Sequence, residues 1–159
     1  MPKFSNVLIV GLGMMGGSLC KSIKKNKLSK KISAFDTDQD ALSYASKNRI
    51  IDYKVTDLGK MEHPDLVIIC SPLSTYLSIA KKILLTVKKT TLVTDIGSSK
   101  GVVHRKITRL FRDSNIGFLS SHPMVGSEKS GVKFTRNDMY KNKVVFILDK
   151  DSASRASYL

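Results

Sequence analysis

Three glycines interrupt the chain where an apolar strand would otherwise run on. Ser5 to Val10 (SNVLIV) is a short, β-rich run that reads as a buried strand. It leads straight into Gly11-Leu12-Gly13-Met14-Met15-Gly16, and helical spacing follows over Ser18 to Lys27 through Leu19 and Ile23. A lone G-x-G-x-x-G says little. Here it joins a strand to a helix, and Asp36 closes the next strand, Lys31 to Phe35, twenty residues after Gly16. That context is the fingerprint of a βαβ unit that holds a dinucleotide. Gly11 permits the tight turn, Gly13 lets the backbone approach a pyrophosphate, and Gly16 lets helix and strand pack closely. Leu12, Met14 and Met15 complete the turn, where free N–H groups at the helix start attract an anion. Asp36 would accept from both hydroxyls of the adenosine ribose. Its carboxylate repels a 2′-phosphate and Thr37 offers no cation, so NAD is favoured over NADP.

The rest of the chain alternates in the same way. Asp38 is placed to cap a helix through about Lys47, with Ala41, Leu42 and Ala45 as its inner face. A short extended piece is expected near Tyr53 to Thr56. Asp65 to Cys70 (DLVIIC) reads as a second wholly apolar strand, after which Pro72 starts a helix to about Val87. Thr91 to Thr94 and Ile116 to Leu119 read as strands flanking a helix from Ser99 to about Arg112. A polar, Gly-containing segment covers Ser120 to Asn142, Val144 to Leu148 is the last strand, and Asp151 begins something helical. Wholly apolar strands separated by helices imply a parallel sheet covered on both faces. The expected class is therefore α/β, a Rossmann-type doubly wound, mainly parallel sheet.

Composition narrows the function classes. With 42% apolar and 25% charged residues, the 159-residue chain suits a globular domain rather than wholesale disorder. No apolar run approaches the roughly 18 residues of a membrane span, and no signal peptide is evident. The expectation is a cytoplasmic protein without a membrane partner. Cys20 and Cys70 have neither metal spacing nor histidine neighbours and read as buried core thiols. The 27 Lys+Arg against 13 Asp+Glu give a formal charge of +14, densest over Lys21 to Lys31. No nucleic-acid-reading motif accompanies it, so nucleic acid is not the expected partner. The excess reads as a solvated basic surface around a site for anionic small molecules.

In open α/β sheets the ligand crevice lies at the carboxyl ends of the strands. Ser71-Pro72, Asp95-Ile96-Gly97-Ser98-Ser99-Lys100 and Ser121-His122-Pro123-Met124-Val125-Gly126 all follow strands and belong there. Ser71 and Pro72 are expected beside the cofactor. His122 is the only histidine so placed. His63 lies in a loop and His104 within a helix, where ordinary surface roles are expected. Oxidising an alcohol by hydride transfer needs a group to receive or hold the hydroxyl proton, and histidine suits that task. Ser98 can orient the histidine or the substrate.

Three motifs together resemble the prephenate and arogenate dehydrogenase family: G-L-G-x-x-G-G-S-L at Gly11 to Leu19, T-D-x-G-S-x-K-G at Thr94 to Gly101, and S-H-P-M-x-G-S-E-x-S-G at Ser121 to Gly131. The resemblance covers the whole chain but only the N-terminal part of a family member. It implies NAD-dependent oxidative decarboxylation of prephenate to 4-hydroxyphenylpyruvate on the way to tyrosine, or the corresponding reaction of arogenate. It implies that His122 is the catalytic histidine that hydrogen-bonds the ring hydroxyl, that Ser98 supports both, and that Glu128 gates access. Lys100 braces its loop or adds local positive charge. No metal is expected. It also implies that residues 1–159 are a nucleotide-binding domain, incomplete at its C-terminal end, without the helical dimerisation domain that supplies cations for the substrate. A homodimer or a separately encoded helical partner would follow, as would exposed apolar surface at the open edge. The alternative is an NAD-binding remnant that does no chemistry alone.

Overall fold

Seven strands hydrogen-bond into one sheet in the order β3-β2-β1-β4-β5-β6-β7. In this computed structural model residues 1–148 are described; the helical turn expected from Asp151 lies outside them. The strands are β1 (Phe4–Val10), β2 (Ser29–Phe35), β3 (Tyr53–Val55), β4 (Leu66–Ile69), β5 (Leu92–Asp95), β6 (Gly117–Pro123) and β7 (Val145–Leu148). The first six pair in parallel and β7 runs antiparallel to β6. Four helices connect them: α1 (Met14–Lys25), α2 (Gln39–Lys47), α3 (Tyr76–Leu84) and α4 (Val102–Asp113). This is the doubly wound architecture expected.

Period-two alternation divides the core into two layers. Val7 and Ile9 of β1 join Ile32, Ala34 and Ile68 under α1 and α2, with Cys20, Leu42 and Ala45 as their apolar partners. Leu8 and Val10 face the other way. They pack with Val67, Ile69, Val93 and Phe118 under α3 and α4, through Ile79, Ile83, Ile107 and Phe111. Phe111 stacks on Phe118 with ring centroids 5.1 Å apart. Burial on both faces is why the strands read as continuous apolar runs. Chain order reverses between β1 and β4, and that reversal leaves a crevice at their carboxyl ends.

Local sequence sets several boundaries. Asp38 caps α2 as expected, accepting from the N–H groups of Asp40 and Ala41 at 2.9 and 3.0 Å. Three expectations shift most. α1 begins at Met14, not Ser18, so the glycine turn runs directly into its first turn. Gly16 and Gly17 are poor helix formers, but tertiary packing overrides that penalty. Pro72 does not start a helix. It stays extended ahead of a 3₁₀ turn, Leu73–Thr75, and α3 begins only at Tyr76. The Thr75 hydroxyl donates to the Pro72 carbonyl at 2.7 Å and holds that turn. β6 runs on to Pro123 instead of stopping at Leu119, because β7 pairs with its polar end: Ser120 with Leu148 and His122 with Phe146.

The chain after β6 returns over α1. Lys21 Nζ donates to the Thr135 carbonyl, the Arg136 N–H to Ser18 Oγ, and the Tyr140 hydroxyl to the Met15 carbonyl, at 2.8 to 3.0 Å. β7, at the sheet edge, leaves Val145, Phe146, Ile147 and Leu148 exposed. No helix among the described residues is long and apolar enough to cross a membrane.

Candidate active site

Backbone geometry dictates the glycine turn. Gly11 has φ +103°, and a Cβ there would lie 2.7 Å from the Ser71 nitrogen of the neighbouring crossover. A Cβ on Gly16 would fall 1.9 Å from the Gly11 carbonyl oxygen, so helix and strand meet there with no room for a methyl group. Gly13 differs: a Cβ would meet nothing within 4 Å. Its open side faces the crevice. Gly13 is also the residue before α1, which has no side-chain cap and no acidic residue in its first turn. A helix N-terminus of that kind presents uncapped N–H groups and a positive dipole end.

Asp36 stands at the end of β2, beside the turn. Its Oδ2 accepts from the Leu12 N–H at 2.6 Å and its Oδ1 from the Asp38 N–H at 2.8 Å. Each oxygen keeps a further lone pair for a hydroxyl donor. Leu12 serves through its N–H; its side chain is 1% exposed and belongs to the core. A cavity of about 650 Å³ opens here, lined by Gly11, Gly13, Asp36, Thr37, Ser71 and Pro72.

A second cavity, of about 450 Å³, lies on the other side of Gly13. Met14, Met15, Ser98, His122, Gly126 and Lys129 are among its walls. The two share Gly13, Cys70 and Ser71 and so form one cleft along the carboxyl edge of the sheet. Every cofactor position expected from sequence, apart from the Leu12 and Gly16 side of the turn, lines this cleft. Ser98 and His122 line its far end.

His122 is placed by strand register. β5 ends at Asp95, opposite Ser120, so His122 stands two residues beyond its neighbour's end. The ring's Nδ1 lies 3.5 Å from the Ile96 carbonyl oxygen. A carbonyl can only accept, so a hydrogen bond there uses a proton on Nδ1, and in the neutral ring Nε2 then keeps its lone pair. Ser98 is exposed and lines the same cavity, and the two side chains do not hydrogen-bond to each other.

Other expectations fare differently. Glu128 is on the segment after His122 but is exposed and does not line the cavity, whereas Lys129 does. Cys70 is not a closed core thiol: it is half-buried in the cleft wall, while Cys20 is fully buried. Burial pushes the Cys20 thiol up to about 12 and the Cys70 thiol well above its usual value, so neither is a ready thiolate. His63 is exposed, with Nδ1 2.6 Å from the Thr86 carbonyl, and His104 is half-buried on α4 near Phe118. No group of His, Cys, Asp and Glu among the described residues is arranged to hold a metal ion. Tyr76, which the sequence reading passed over, lies buried beside Gly97 in the wall; burial raises its hydroxyl well above the usual tyrosine range. Its only signal was apolar helical spacing on α3.

A sequence profile described as "Prephenate dehydrogenase, nucleotide-binding domain" matches residues 19–157. The chain belongs to this family. The prephenate dehydrogenase of Lactococcus lactis subsp. cremoris is 33% identical over 147 residues, which are 92% of this chain and 41% of that relative. The Bacillus subtilis enzyme of the same name is 30% identical over 138 residues, 86% of this chain and 37% of its own length. Among solved structures, prephenate dehydrogenase from A. aeolicus, in complex with hydroxyphenyl propionate and NAD+, superposes with a TM-score of 0.87 at 35% identity, covering 95% of this chain and 52% of that one. Synechocystis arogenate dehydrogenase shares the fold, with a TM-score of 0.86 at 20% identity. The chain thus spans about two-fifths of these curated family members and half of the solved ones.

Proposed function

We propose that this chain is the NAD-binding part of a prephenate dehydrogenase-type oxidoreductase in tyrosine biosynthesis, with prephenate as substrate and arogenate as the alternative. The observation that carries the reading is the single cleft with Asp36 at one end, the uncapped start of α1 midway and His122 at the other end. The residues present fit a dinucleotide. Gly11, Gly13 and Gly16 shape the turn, the N–H groups of Met14 and Met15 at the start of α1 face a pyrophosphate, Asp36 takes the ribose hydroxyls, Ser71 borders both cavities and Pro72 lines the Asp36 one. NAD supplies the hydride acceptor when bound.

In this reading His122 accepts a hydrogen bond from the ring hydroxyl at Nε2 and takes its proton as the carbinol carbon is oxidised. Loss of CO2 from the resulting dienone then makes the ring aromatic: the electron pair of the broken C–C bond passes to the carbonyl oxygen, and the phenolate takes a proton back. Ser98, in the same cavity, steadies the same hydroxyl. Glu128, exposed on the segment after His122, acts on access rather than on chemistry. The described residues serve as one dinucleotide-binding domain. A helical partner or a second copy supplies what the cleft lacks, and the protein works in the cytoplasm.

One observation favours a narrower role, that of a nucleotide-binding module without turnover of its own. Prephenate carries two carboxylates, yet Lys129 is the only cationic side chain lining the His122 cavity among the described residues. Mixing the purified chain with NAD and prephenate and following NADH absorbance decides between them. Turnover that disappears in His122→Asn supports autonomous catalysis. Binding of NAD without turnover leaves the module, and no binding by a folded chain contradicts both.

A further inference from the structure

The most heavily bonded carboxylate near the cleft lies behind it. Asp95, the last residue of β5, is 1% exposed. Its Oδ1 accepts from Ser120 Oγ at 3.0 Å and from the Ser121 N–H at 3.2 Å. Its Oδ2 accepts from the Gly97 N–H at 3.0 Å and from Lys100 Nζ at 2.6 Å. Lys100, itself largely buried, also donates to the Ser121 carbonyl at 2.8 Å. The Ser121 hydroxyl donates to the Asp95 carbonyl at 2.6 Å. The residue immediately before His122 is therefore held at its N–H, its carbonyl and its hydroxyl, each time by Asp95 or Lys100. The same pair closes the Ile96–Ser99 loop, which carries Ser98 and the carbonyl that faces His122 Nδ1.

A buried ion pair contributes little net stability, because desolvation of both charges offsets their attraction; apolar replacements of similar volume often do as well. Its geometric effect here is specific. Asp95 and Lys100 tie together the two short segments that carry Ser98 and His122, which otherwise belong to different strands and different connections. Between those segments lies the 3.5 Å contact from His122 Nδ1 to the Ile96 carbonyl.

We infer that the Asp95–Lys100 pair is a positioning device: it holds the Ile96 carbonyl against His122 so that the ring carries its proton on Nδ1 and offers Nε2 to a substrate hydroxyl. The inference rests on the proposed role of His122 for its purpose, but not for its test. In free neutral histidine the Nε2–H tautomer predominates. The wild-type chain should instead show His122 mainly as Nδ1–H in long-range ¹⁵N imidazole spectra at alkaline pH, with His122→Asn identifying the signals.

Lys100→Met should return His122 toward the Nε2–H form while NAD affinity stays within about twofold, since Lys100 lines neither half of the cofactor turn. Asp95→Asn combined with Lys100→Met removes both charges and guards against misfolding from a lone buried carboxylate; it should give the same tautomer change. A purely structural pair would lower the melting temperature and leave the tautomer alone, which overturns the inference. So does a wild-type ring already in the Nε2–H form. If the tautomer responds as expected but NAD fails to bind the wild-type chain, the positioning pair stands and the dehydrogenase reading falls.

Discussion

The two ends of the cleft are built on opposite plans. At the cofactor end, function depends on atoms that are missing: Gly11 and Gly16 leave no space for a Cβ, and Gly13 leaves open space in front of α1. The partners are backbone groups of β1, α1 and the β4 crossover. At the His122 end, function depends on side chains brought together from β5, β6 and the loop after β5, on the part of β6 that extends past β5. Its other neighbour is β7, an edge strand with four exposed apolar residues. The cofactor end should therefore be intolerant of any added atom. The His122 end should lose chemistry under substitution long before it loses its fold.

Glycine substitutions draw that contrast most sharply. Gly16→Ala forces a Cβ against the Gly11 carbonyl and should cost about 2–4 kcal/mol of stability, together with NAD binding. Gly13→Ala meets no atom of the protein, so its melting temperature should barely move while NAD affinity drops. Thermal melts paired with calorimetric titrations read both effects. Equal destabilisation by the two would erase the distinction between close packing and open approach.

Asp36→Ala comes next. It removes the acceptor of the Leu12 and Asp38 N–H groups, at about 1–2 kcal/mol of stability, and should narrow the preference for NAD over NADP. An unchanged preference would detach Asp36 from ribose recognition. His122→Asn should be milder for the fold, with NAD affinity within about twofold of wild type and any oxidation of prephenate abolished.

The smallest effect near neutral pH comes from Cys20, far from either end. Its thiol is ordinarily near 9 and is pushed up to about 12 by burial. The folded state thus keeps a proton that the unfolded chain releases. Stability is full below about pH 9 and falls as pH rises from there toward 12. Urea melts across that range should show a shallower decline for Cys20→Ala, although that variant starts lower for want of the buried sulfur.

Much of this was legible in the sequence, for physical reasons that differ along the chain. SNVLIV and DLVIIC announce doubly buried strands because Val7 to Val10 and Val67 to Ile69 within them face apolar surface on one side of the sheet or the other. Asp38 announces its helix because capping is local. The glycine fingerprint with Asp36 reads well because both ends of the interaction lie in one βαβ unit. What failed was non-local. The start of α1 at Met14 depends on packing against the Gly11 carbonyl and on Thr135, whose Cγ2 would lie 2.4 Å from a Cβ at Gly17. The extension of β6 over Ser120–Pro123 depends on β7, more than twenty residues on, and S-S-H-P has no strand pattern of its own. Cys70 looked like core because its apolar neighbours did, yet it lies just past the end of β4, at the cleft. His122 was found by chemistry and motif; the buried pair behind it needed the register of β5 against β6.

Titration of NAD and NADP into the purified chain by calorimetry tests the central claim most directly. The account predicts one NAD per chain, with NADP weaker by at least about tenfold because Asp36 repels the added phosphate. No heat and no melting shift with NAD, from a chain that is demonstrably folded, would contradict it, as would NADP binding as tightly as NAD.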